Sequence, residues 1–413
     1  MPSGCSLGWW DAVCGPDNRE SPPNRIETGR CKFKTSFLAY QNDRDVGEVF
    51  MTSTLEARTR AALHGLIAGL SLVAPGVISA APSIPPYASV TVAPDGTVTI
   101  GSQSIPQSNL LSPEGRAYVT QHLKDEQAPP QTRADNGIPA ALRPYLKLQR
   151  SMFQVNLEST RIGGVHVYVF TPKGGVAAAN AKRVLINLHG GGFAGCWPGC
   201  ALMESIPIAS LGKTRVVSVD YREGPDHRYP AATVDVAKVY GELLKQYSPK
   251  AMGIYGCSAG GLLTAEAIAW FEKNGTPLPG AIGMFCSGAG DIYSGDSLYF
   301  GTPTGQGRLF EGHAPGLTGA YWDGVDPHDP LVEQIDHPEV LAKFPPTLFV
   351  TGTRDIAFSN AIHTDIQLEM LGVPTKLLVW DGLFHGFLYN PAIPESHQAY
   401  RAIVEFFDKD LAH

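Results

Sequence analysis

The chain has 413 residues, of which 43% are hydrophobic and 17% charged, a composition that fits one large globular α/β domain with additions. Its 32 basic and 39 acidic residues give a net charge of −7 without a long basic run, which excludes a typical nucleic-acid-binding protein. The sequence shows no internal repeat and no metal-type spacing of cysteine and histidine.

The N-terminal 80 residues differ in pattern from the rest of the chain. Residues 1–50 show neither helical nor strand periodicity, and we interpret them as disordered or as a spurious extension of the gene. From Met51, a basic stretch, an apolar run and small residues near Ala80 follow in the order of a secretory signal peptide. We therefore predict a signal peptide over 51–80 and an exported protein, periplasmic or secreted, if translation starts at Met51; otherwise the protein is cytoplasmic. A histidine, a proline and small residues interrupt the apolar run, so no stable membrane anchor is expected.

Residues 81–413 are predicted to form the folded domain, with N-terminal cap elements over about 105–150. The alternating pattern over 89–100 predicts a β-hairpin, because a Pro-Asp-Gly turn lies at its centre. Ser112 and the proline after it predict the start of a helix that reaches about Leu123.

Apolar strands and helical stretches alternate after a polar, proline-rich linker. Two strands, 153–158 and 165–171, are predicted to pair across a Gly-Gly turn. The later predicted strands are 183–188, 214–219, 252–255, 281–286, 347–350 and 376–380. The later predicted helices are 201–211, 231–247, 259–271, 360–371 and 396–411. Continuous apolar strands separated by helices predict an α/β fold, with a mostly parallel central sheet flanked by helices.

One long segment, 288–344, interrupts this alternation and is rich in glycine, aspartate, proline and aromatic residues. It follows one predicted strand and precedes the next, so we interpret it as an insertion over one end of the sheet. Its aromatic residues either form an apolar lid or pack the base of the insertion; they are Tyr293, Tyr299, Phe300, Tyr321 and Trp322.

The pentapeptide Gly256-Cys257-Ser258-Ala259-Gly260 fits the pattern of a nucleophile elbow, with a predicted strand before it and a predicted helix after it. Such a turn holds its central residue in a strained conformation, which lifts the hydroxyl of Ser258 clear of the sheet. The first amides of the helix then point at whatever the serine attacks. The pattern therefore predicts Ser258 as a nucleophile.

A second glycine-rich stretch, His189-Gly190-Gly191-Gly192-Phe193, directly follows another predicted strand. Consecutive glycines leave backbone N–H groups free and allow a ligand to approach closely. In acyl-transfer enzymes such amides bind the tetrahedral oxyanion, and losing one donor costs about 10²–10³ in rate. No Gly-Lys-Ser/Thr sequence follows, which disfavours a phosphate-binding loop.

Taken together, these motifs resemble the hormone-sensitive-lipase-like branch of the α/β-hydrolases over about residues 110–411. The matching motifs are His189–Phe193, Asp220-Tyr-Arg-Glu-Gly-Pro-Asp-His227, Gly256–Gly261 and His385-Gly-Phe387. The resemblance implies the α/β-hydrolase fold, with a small cap from the N-terminal region and an insertion before the strand that carries the acid. Cys257 departs from the pattern, because most relatives have aspartate before the serine, and this leaves the subfamily and its substrate preference open.

The family's chain order of nucleophile, acid and histidine assigns the catalytic roles by resemblance. It implies Ser258 as nucleophile, Asp355 as the orienting acid and His385 as the base. The implied oxyanion donors are Gly191, Gly192 and the amide of Ala259, with His189 and Gly190 supporting the loop and Phe193 lining the pocket. The chemistry agrees, since a serine hydroxyl needs an imidazole to accept its proton, and that imidazole needs a buried carboxylate.

Other residues compete for these roles. Asp381 is the carboxylate nearest in sequence to His385, but it lies in the same loop and is expected to form a turn. His227 belongs to a motif that looks structural in the family, and His363 lies on a predicted helix, where a solvated or packed side chain is the default. A cysteine nucleophile at Cys257 is disfavoured, because the central position of the motif is the serine.

From the motifs and the resemblance we expect a serine carboxylic-ester hydrolase that forms an acyl-enzyme and requires neither a metal nor another cofactor. The resemblance implies a small-molecule ester substrate, with a preference for short-to-medium acyl chains. An amidase, lactonase or transacylase uses the same nucleophile and oxyanion hole and therefore stays open. A non-catalytic ligand receptor on the same fold is disfavoured, since all three triad residues are present. The oligomeric state, a homodimer included, is left open.

Two cysteines, Cys196 and Cys200, are four residues apart in a glycine- and proline-rich loop. An exported protein would allow them to form a small disulfide, whereas two free thiols are the alternative.

Overall fold

The computed structural model describes residues 90–127, 137–306, 316–317 and 319–412. The first 50 residues, Met51 and the predicted signal peptide lie outside these ranges, as do parts of the linker and of the insertion. Every helix within the described ranges is too short or too polar to span a membrane.

Within the described ranges, the strands form two sheets. The strands are β1 (Val90–Val92), β2 (Val98–Ile100), β3 (Val155–Ile162), β4 (Val165–Pro172), β5 (Val184–Leu188), β6 (Arg215–Val219), β7 (Met252–Cys257), β8 (Ala281–Phe285), β9 (Thr347–Gly352) and β10 (Thr375–Trp380). β1 and β2 form the predicted antiparallel hairpin. The others form one eight-stranded sheet in the order β10-β9-β8-β7-β5-β6-β4-β3.

The large sheet is mostly parallel, as predicted. Strands β5 to β10 run parallel to their neighbours, whereas the β3–β4 hairpin joins the edge of β6 in antiparallel orientation. The central strands β5, β7, β8 and β9 are buried along their whole length, which explains their continuous apolar sequences. β3 lies at one edge and is largely exposed.

Helices cover both faces of this sheet. They are α1 (Pro113–Gln127), α2 (Arg143–Met152), α3 (Gly199–Gly212), α4 (Ala231–Leu243), α5 (Ala259–Lys273), α6 (Asp296–Gly301), α7 (Pro338–Leu341), α8 (Phe358–Met370) and α9 (Pro394–Asp410). Apolar residues of α4, α5 and α8 form the core on one face. Those of α1, α2, α3 and α9 form the core on the other. The predicted helices all form, with boundaries shifted by a few residues.

Helix α2 was not predicted, although it lies within the predicted cap segment. Its sequence is strongly polar, and only Leu146 and Gln149 are buried. The Gln149 side chain donates a hydrogen bond of 2.9 Å to the carbonyl of Met203 on α3. Helix α2 is nevertheless amphipathic, with its buried residues on one face, so its pattern was present in the sequence but was not recognised in so short and polar a segment.

Candidate active site

The turn between β7 and α5 has the geometry of a nucleophile elbow. Ser258 has φ 58° and ψ −124°, a conformation that is strained for any residue other than glycine. Its side chain does not cap α5, so the hydroxyl is free to face the end of the sheet. A Cβ at Gly260 would lie 1.8 Å from the carbonyl oxygen of Leu188, so only glycine allows the helix to approach the end of β5 this closely.

His385 and Asp355 form a buried hydrogen-bonded pair. His385 Nδ1 donates to Asp355 Oδ1 at 2.7 Å, and the aspartate is fully shielded from solvent. The amide of Ala357 also donates to Oδ1, and the Thr351 hydroxyl donates to Oδ2, each at 2.9 Å. Burial by itself opposes ionisation of Asp355, but the His385 charge and these hydrogen bonds outweigh it and hold its pKa below the usual value.

The strand order brings these residues to one edge of the sheet. Ser258 follows β7, Asp355 follows β9 and His385 follows β10, and the parallel strands all end at that edge. Among the described residues, the Ser258 hydroxyl makes no hydrogen bond. In serine hydrolases without bound substrate, the hydrogen bond between the serine hydroxyl and the histidine is often long, and it shortens when substrate binds.

The glycine-rich loop after β5 presents unused donors beside Ser258. Within the described ranges, the amides of Gly191, Gly192 and Ala259 donate no hydrogen bond to the protein. Gly191 has φ 130°, and a Cβ there would lie 2.0 Å from the carbonyl oxygen of Gly195. Because β5 and β7 are neighbours in the sheet, this loop and the start of α5 lie next to each other.

His189 braces this loop and is not placed to act as a base. Its Nδ1 lies 2.7 Å from the carbonyl of Gly190 and must carry the proton, since a carbonyl only accepts. Burial lowers the pKa of His189 to about 4, so the ring is neutral. The ring stacks on Tyr221, whose hydroxyl donates to the carbonyl of His189.

The Asp220–His227 motif supports the same loop. The amide of Gly224 donates a 2.8 Å hydrogen bond to the carbonyl of Phe193. Arg222 forms a two-point ion pair with Asp235 of α4, at 2.7 and 3.0 Å, which anchors the motif to the domain.

The competing residues occupy other positions. Asp381 is exposed and accepts hydrogen bonds from the hydroxyls of Ser108 and Thr353, whereas His385 Nδ1 is bonded to Asp355. His227 and His363 are both exposed.

Cys257 is buried and lies beside a second buried free cysteine, Cys286. A hydrogen bond with Cys286 favours the Cys257 thiolate, but burial and the nearby carboxylates Glu204 and Asp355 outweigh it and raise the pKa of Cys257. A buried thiol with a raised pKa is a poor nucleophile. The donor atoms of Cys286, Asp355 and His385 lie within 4.8 Å of one another, a proximity that the hydrogen bond between Asp355 and His385 explains.

Three of the predicted pocket residues form an aromatic cluster against the oxyanion loop. Phe193 stacks on Tyr321 at 4.6 Å and meets Trp322 edge-on at 5.1 Å, and all three are buried. The Tyr321 hydroxyl accepts a hydrogen bond from the amide of Ala232, so Tyr321 and Trp322 pack the base of the insertion. Tyr293 is half-buried beside the same core, whereas Tyr299 on α6 is 68% exposed and lies outside the cluster.

Cys196 and Cys200 form a disulfide, with their Cα atoms 5.4 Å apart. The bridge closes the segment that directly follows the oxyanion loop, and the Cys196 side chain lies against Gly191. Of the two alternatives for these cysteines, the structure has the bonded one.

Sequence reasoning missed two polar arrangements. Glu204 on α3 is buried beneath the oxyanion loop and accepts a 2.8 Å hydrogen bond from the amide of Gly190. No local motif marks it, because its partners come from distant strands.

The second arrangement is a Ser–His–Asp set in which both links are hydrogen bonds. Ser159 Oγ lies 2.8 Å from His166 Nε2, and His166 Nδ1 lies 2.7 Å from Asp220. Ser159 is exposed in the middle of β3, an extended strand whose residues pair along their length with β4. It therefore has neither the strained turn nor the free amides found at Ser258.

Comparison with known proteins gives consistent matches. The model of a family with the α/β-hydrolase fold matches residues 185–389. An esterase from Acinetobacter venetianus is 27% identical over 279 residues, which cover 66% of this chain and 89% of that protein. The solved structure of the esterase E25 is 30% identical with a TM-score of 0.65, and the match covers 76% of this chain and 99% of E25. An esterase structure from the bacterial hormone-sensitive lipase family is 27% identical with a TM-score of 0.62, covering 73% and 99% of the two chains.

Proposed function

Because the chain is a carboxylesterase of the hormone-sensitive-lipase-like branch of the α/β-hydrolases, we propose that it hydrolyses esters through Ser258, His385 and Asp355. The observation that carries this proposal is the buried His385–Asp355 pair at the same sheet edge as the strained Ser258. The exposed Ser159 set has a similar His–Asp pair and also a Ser–His hydrogen bond, but it lacks the strained turn and the free amides found at Ser258.

Acylation begins when the Ser258 hydroxyl attacks the ester carbonyl and its proton passes to His385 Nε2. Asp355 holds Nδ1–H and stabilises the imidazolium that forms. The negative charge on the carbonyl oxygen is bound by the free amides of Gly191, Gly192 and Ala259. The tetrahedral intermediate then collapses, His385 donates its proton to the leaving alcohol, and the acyl group remains on Ser258.

Deacylation repeats these steps with water as the nucleophile. His385 removes a proton from water, which attacks the acyl-enzyme, and the same amides bind the second oxyanion. The proton then returns to Ser258 as the acid leaves. No step uses a group from outside this chain apart from water and substrate.

We propose a preference for short-to-medium acyl chains. The buried cluster of Phe193, Tyr321 and Trp322 supports it, since these rings fill the space on one side of the oxyanion loop. A long acyl chain could not enter that space without displacing packed aromatic side chains.

Rates with p-nitrophenyl acetate, butyrate, octanoate and palmitate test both proposals. We expect the wild type to prefer the shorter esters and Ser258→Ala to fall to background. Ser159→Ala is the matched control, because it removes the serine of the other Ser–His–Asp set, and its rates should equal those of the wild type. A Ser258→Ala protein that keeps its activity would exclude Ser258 as the nucleophile.

We also propose that the protein is exported after cleavage near Ala80. The disulfide between Cys196 and Cys200 supports export, because such bonds persist in oxidising compartments. N-terminal sequencing of the native protein tests this, and a mature chain that begins at Met1 would contradict it.

A further inference from the structure

Glu204 is a buried carboxylate that contacts the catalytic segments from below. It is 2% exposed, and no cation pairs with it within the described ranges. Its donors include the amide of Gly190 at 2.8 Å, the Asn187 side-chain amide at 2.8 Å and the Tyr389 hydroxyl at 2.6 Å, and the backbone of Cys257 also favours its ionised form. Burying the charge of a carboxylate costs free energy, so a carboxylate at this position indicates a specific role.

These contacts join two parts of the proposed active site. Gly190 is the first glycine of the oxyanion loop and directly precedes Gly191. Tyr389 lies four residues after His385, in a short helical turn over Phe387–Tyr389. Glu204 is therefore the one side chain in the described structure that hydrogen-bonds both the oxyanion loop and the segment that carries the base.

The contacts suit the ionised form of Glu204. Every partner donates, and an ionised carboxylate only accepts. A glutamine would direct its NH2 group at the Asn187 amide or at the Gly190 N–H, and a protonated acid avoids the same conflict only if the Tyr389 hydroxyl turns round to accept its proton. Asn187 is not free to reverse its amide, because its oxygen accepts a 2.7 Å hydrogen bond from Ser218.

We propose that the ionised Glu204 is a positioning residue that holds the oxyanion loop in register with the His385 segment. This inference rests on the proposed function of the site. Glu204 does not touch the substrate; it acts by fixing Gly190, and through it the direction of the next two amides.

The environment of Glu204 makes this role sensitive to pH near neutrality. Burial raises the pKa of Glu204 to about 7, and the surrounding hydrogen-bond donors oppose that rise. The titratable groups that face it are Cys257 and Tyr255 on β7, Tyr389 after β10 and Tyr221 after β6. All of these have raised pKa values and stay neutral at pH 7, and His189 in the loop is also neutral. Glu204 is therefore the group of this cluster that changes its charge near pH 7.

Glu204→Gln in the full-length chain is the first test. We expect kcat to fall by about 10²-fold, as for the loss of an oxyanion donor, with KM little changed. A boronic acid that mimics the tetrahedral intermediate should bind more weakly by the same factor. Glu266→Gln is the matched control, because Glu266 on α5 is also buried and has a raised pKa, but among the described residues its one hydrogen-bond partner is Thr233.

The pH profile separates positioning from a purely structural role. In the wild type, the fall of kcat/KM on acidification should include the protonation of Glu204, whereas Glu204→Gln should lack that step. Tyr389→Phe removes one donor to the carboxylate, so the acid limb should move to higher pH. This variant also keeps the test decisive if Glu204→Gln does not fold, as circular dichroism would show.

Three results decide the inference. Unchanged kcat in a folded Glu204→Gln protein, or an acid limb that does not move in Tyr389→Phe, overturns it. An equal loss of kcat in Glu266→Gln also overturns it, since burial alone would then explain the effect. If Ser258→Ala keeps its activity, the proposed function fails instead, and that result is independent of Glu204.

Discussion

Replacing Asp355 by asparagine separates the charge of the triad acid from its hydrogen bonds. Asp355 Oδ1 accepts from His385 Nδ1 and from the amide of Ala357, while Oδ2 accepts from the Thr351 hydroxyl. An asparagine oxygen at the Oδ1 position keeps the first two bonds. Its amide then faces the Thr351 hydroxyl, which is able to accept a hydrogen bond. The imidazole therefore keeps its tautomer, and only the negative charge is lost.

The lost charge faces the imidazolium that forms when His385 takes the Ser258 proton. Two unit charges about 4 Å apart interact by about 4 kcal/mol at an effective dielectric constant of about 20. Since about 1.4 kcal/mol changes a rate tenfold, kcat/KM should fall by about 10³. The loss would be larger if the tautomer were reversed: in the serine-protease triad, where the same substitution reverses it, kcat falls by about 10⁴. KM should change little, because Asp355 does not touch the substrate.

Initial rates with p-nitrophenyl butyrate measure this effect, with thermal melting as a check on folding. Asp381→Asn is the matched control, because Asp381 is the nearest carboxylate in sequence yet contacts Ser108 and Thr353 instead of His385. It should leave kcat/KM close to the wild-type value. A loss below about tenfold in Asp355→Asn, or equal losses in the two variants, would refute this reasoning.

Two further predictions concern stability. Burial raises the pKa of Glu266 from 4.5 to about 8. As pH rises, Glu266 therefore loses its proton at a lower pH in the unfolded chain than in the folded one. The free energy of unfolding falls between these two pH values. Glu266→Gln has no proton to lose, so its free energy of unfolding relative to the wild type should rise by about 3 kcal/mol between pH 4.5 and pH 7, as measured by urea unfolding. If the free energies of the two proteins differ by the same amount at both pH values, the assignment is contradicted. Replacing Cys196 and Cys200 by serine should lower the unfolding free energy by about 2 kcal/mol, the chain-entropy value for so short a loop. A reducing agent should cost the wild type the same amount and leave the double variant unaffected, and a reductant-insensitive wild type would argue against the bond.

Local sequence pattern predicted the family and most of the secondary structure, whereas helices α2, α6 and α7 were missed. Continuous apolar runs marked the buried strands, and the alternation with helices indicated a parallel sheet covered on both faces. The Gly-x-Ser-x-Gly pattern located the strained turn at Ser258, because the glycines and the strand–turn–helix context are neighbours in sequence. Helix α2 was missed although its sequence is amphipathic, because the segment is short, is mostly polar and closely follows a proline-rich linker.

Contacts between distant residues were decided only by the tertiary structure. The oxyanion loop lies beside Ser258 because β5 and β7 are adjacent in the sheet, an order that neither strand encodes alone. The sequence already favoured Asp355 over Asp381, and the contact that distinguishes them in the structure is the hydrogen bond from His385 Nδ1 to Asp355. Glu204 and Tyr389 are 185 residues apart, so their contact follows from strand order and helix packing together. Sequence determines local conformation through short-range sterics and periodicity, whereas the partners of a buried polar group are set by the packing of the whole domain.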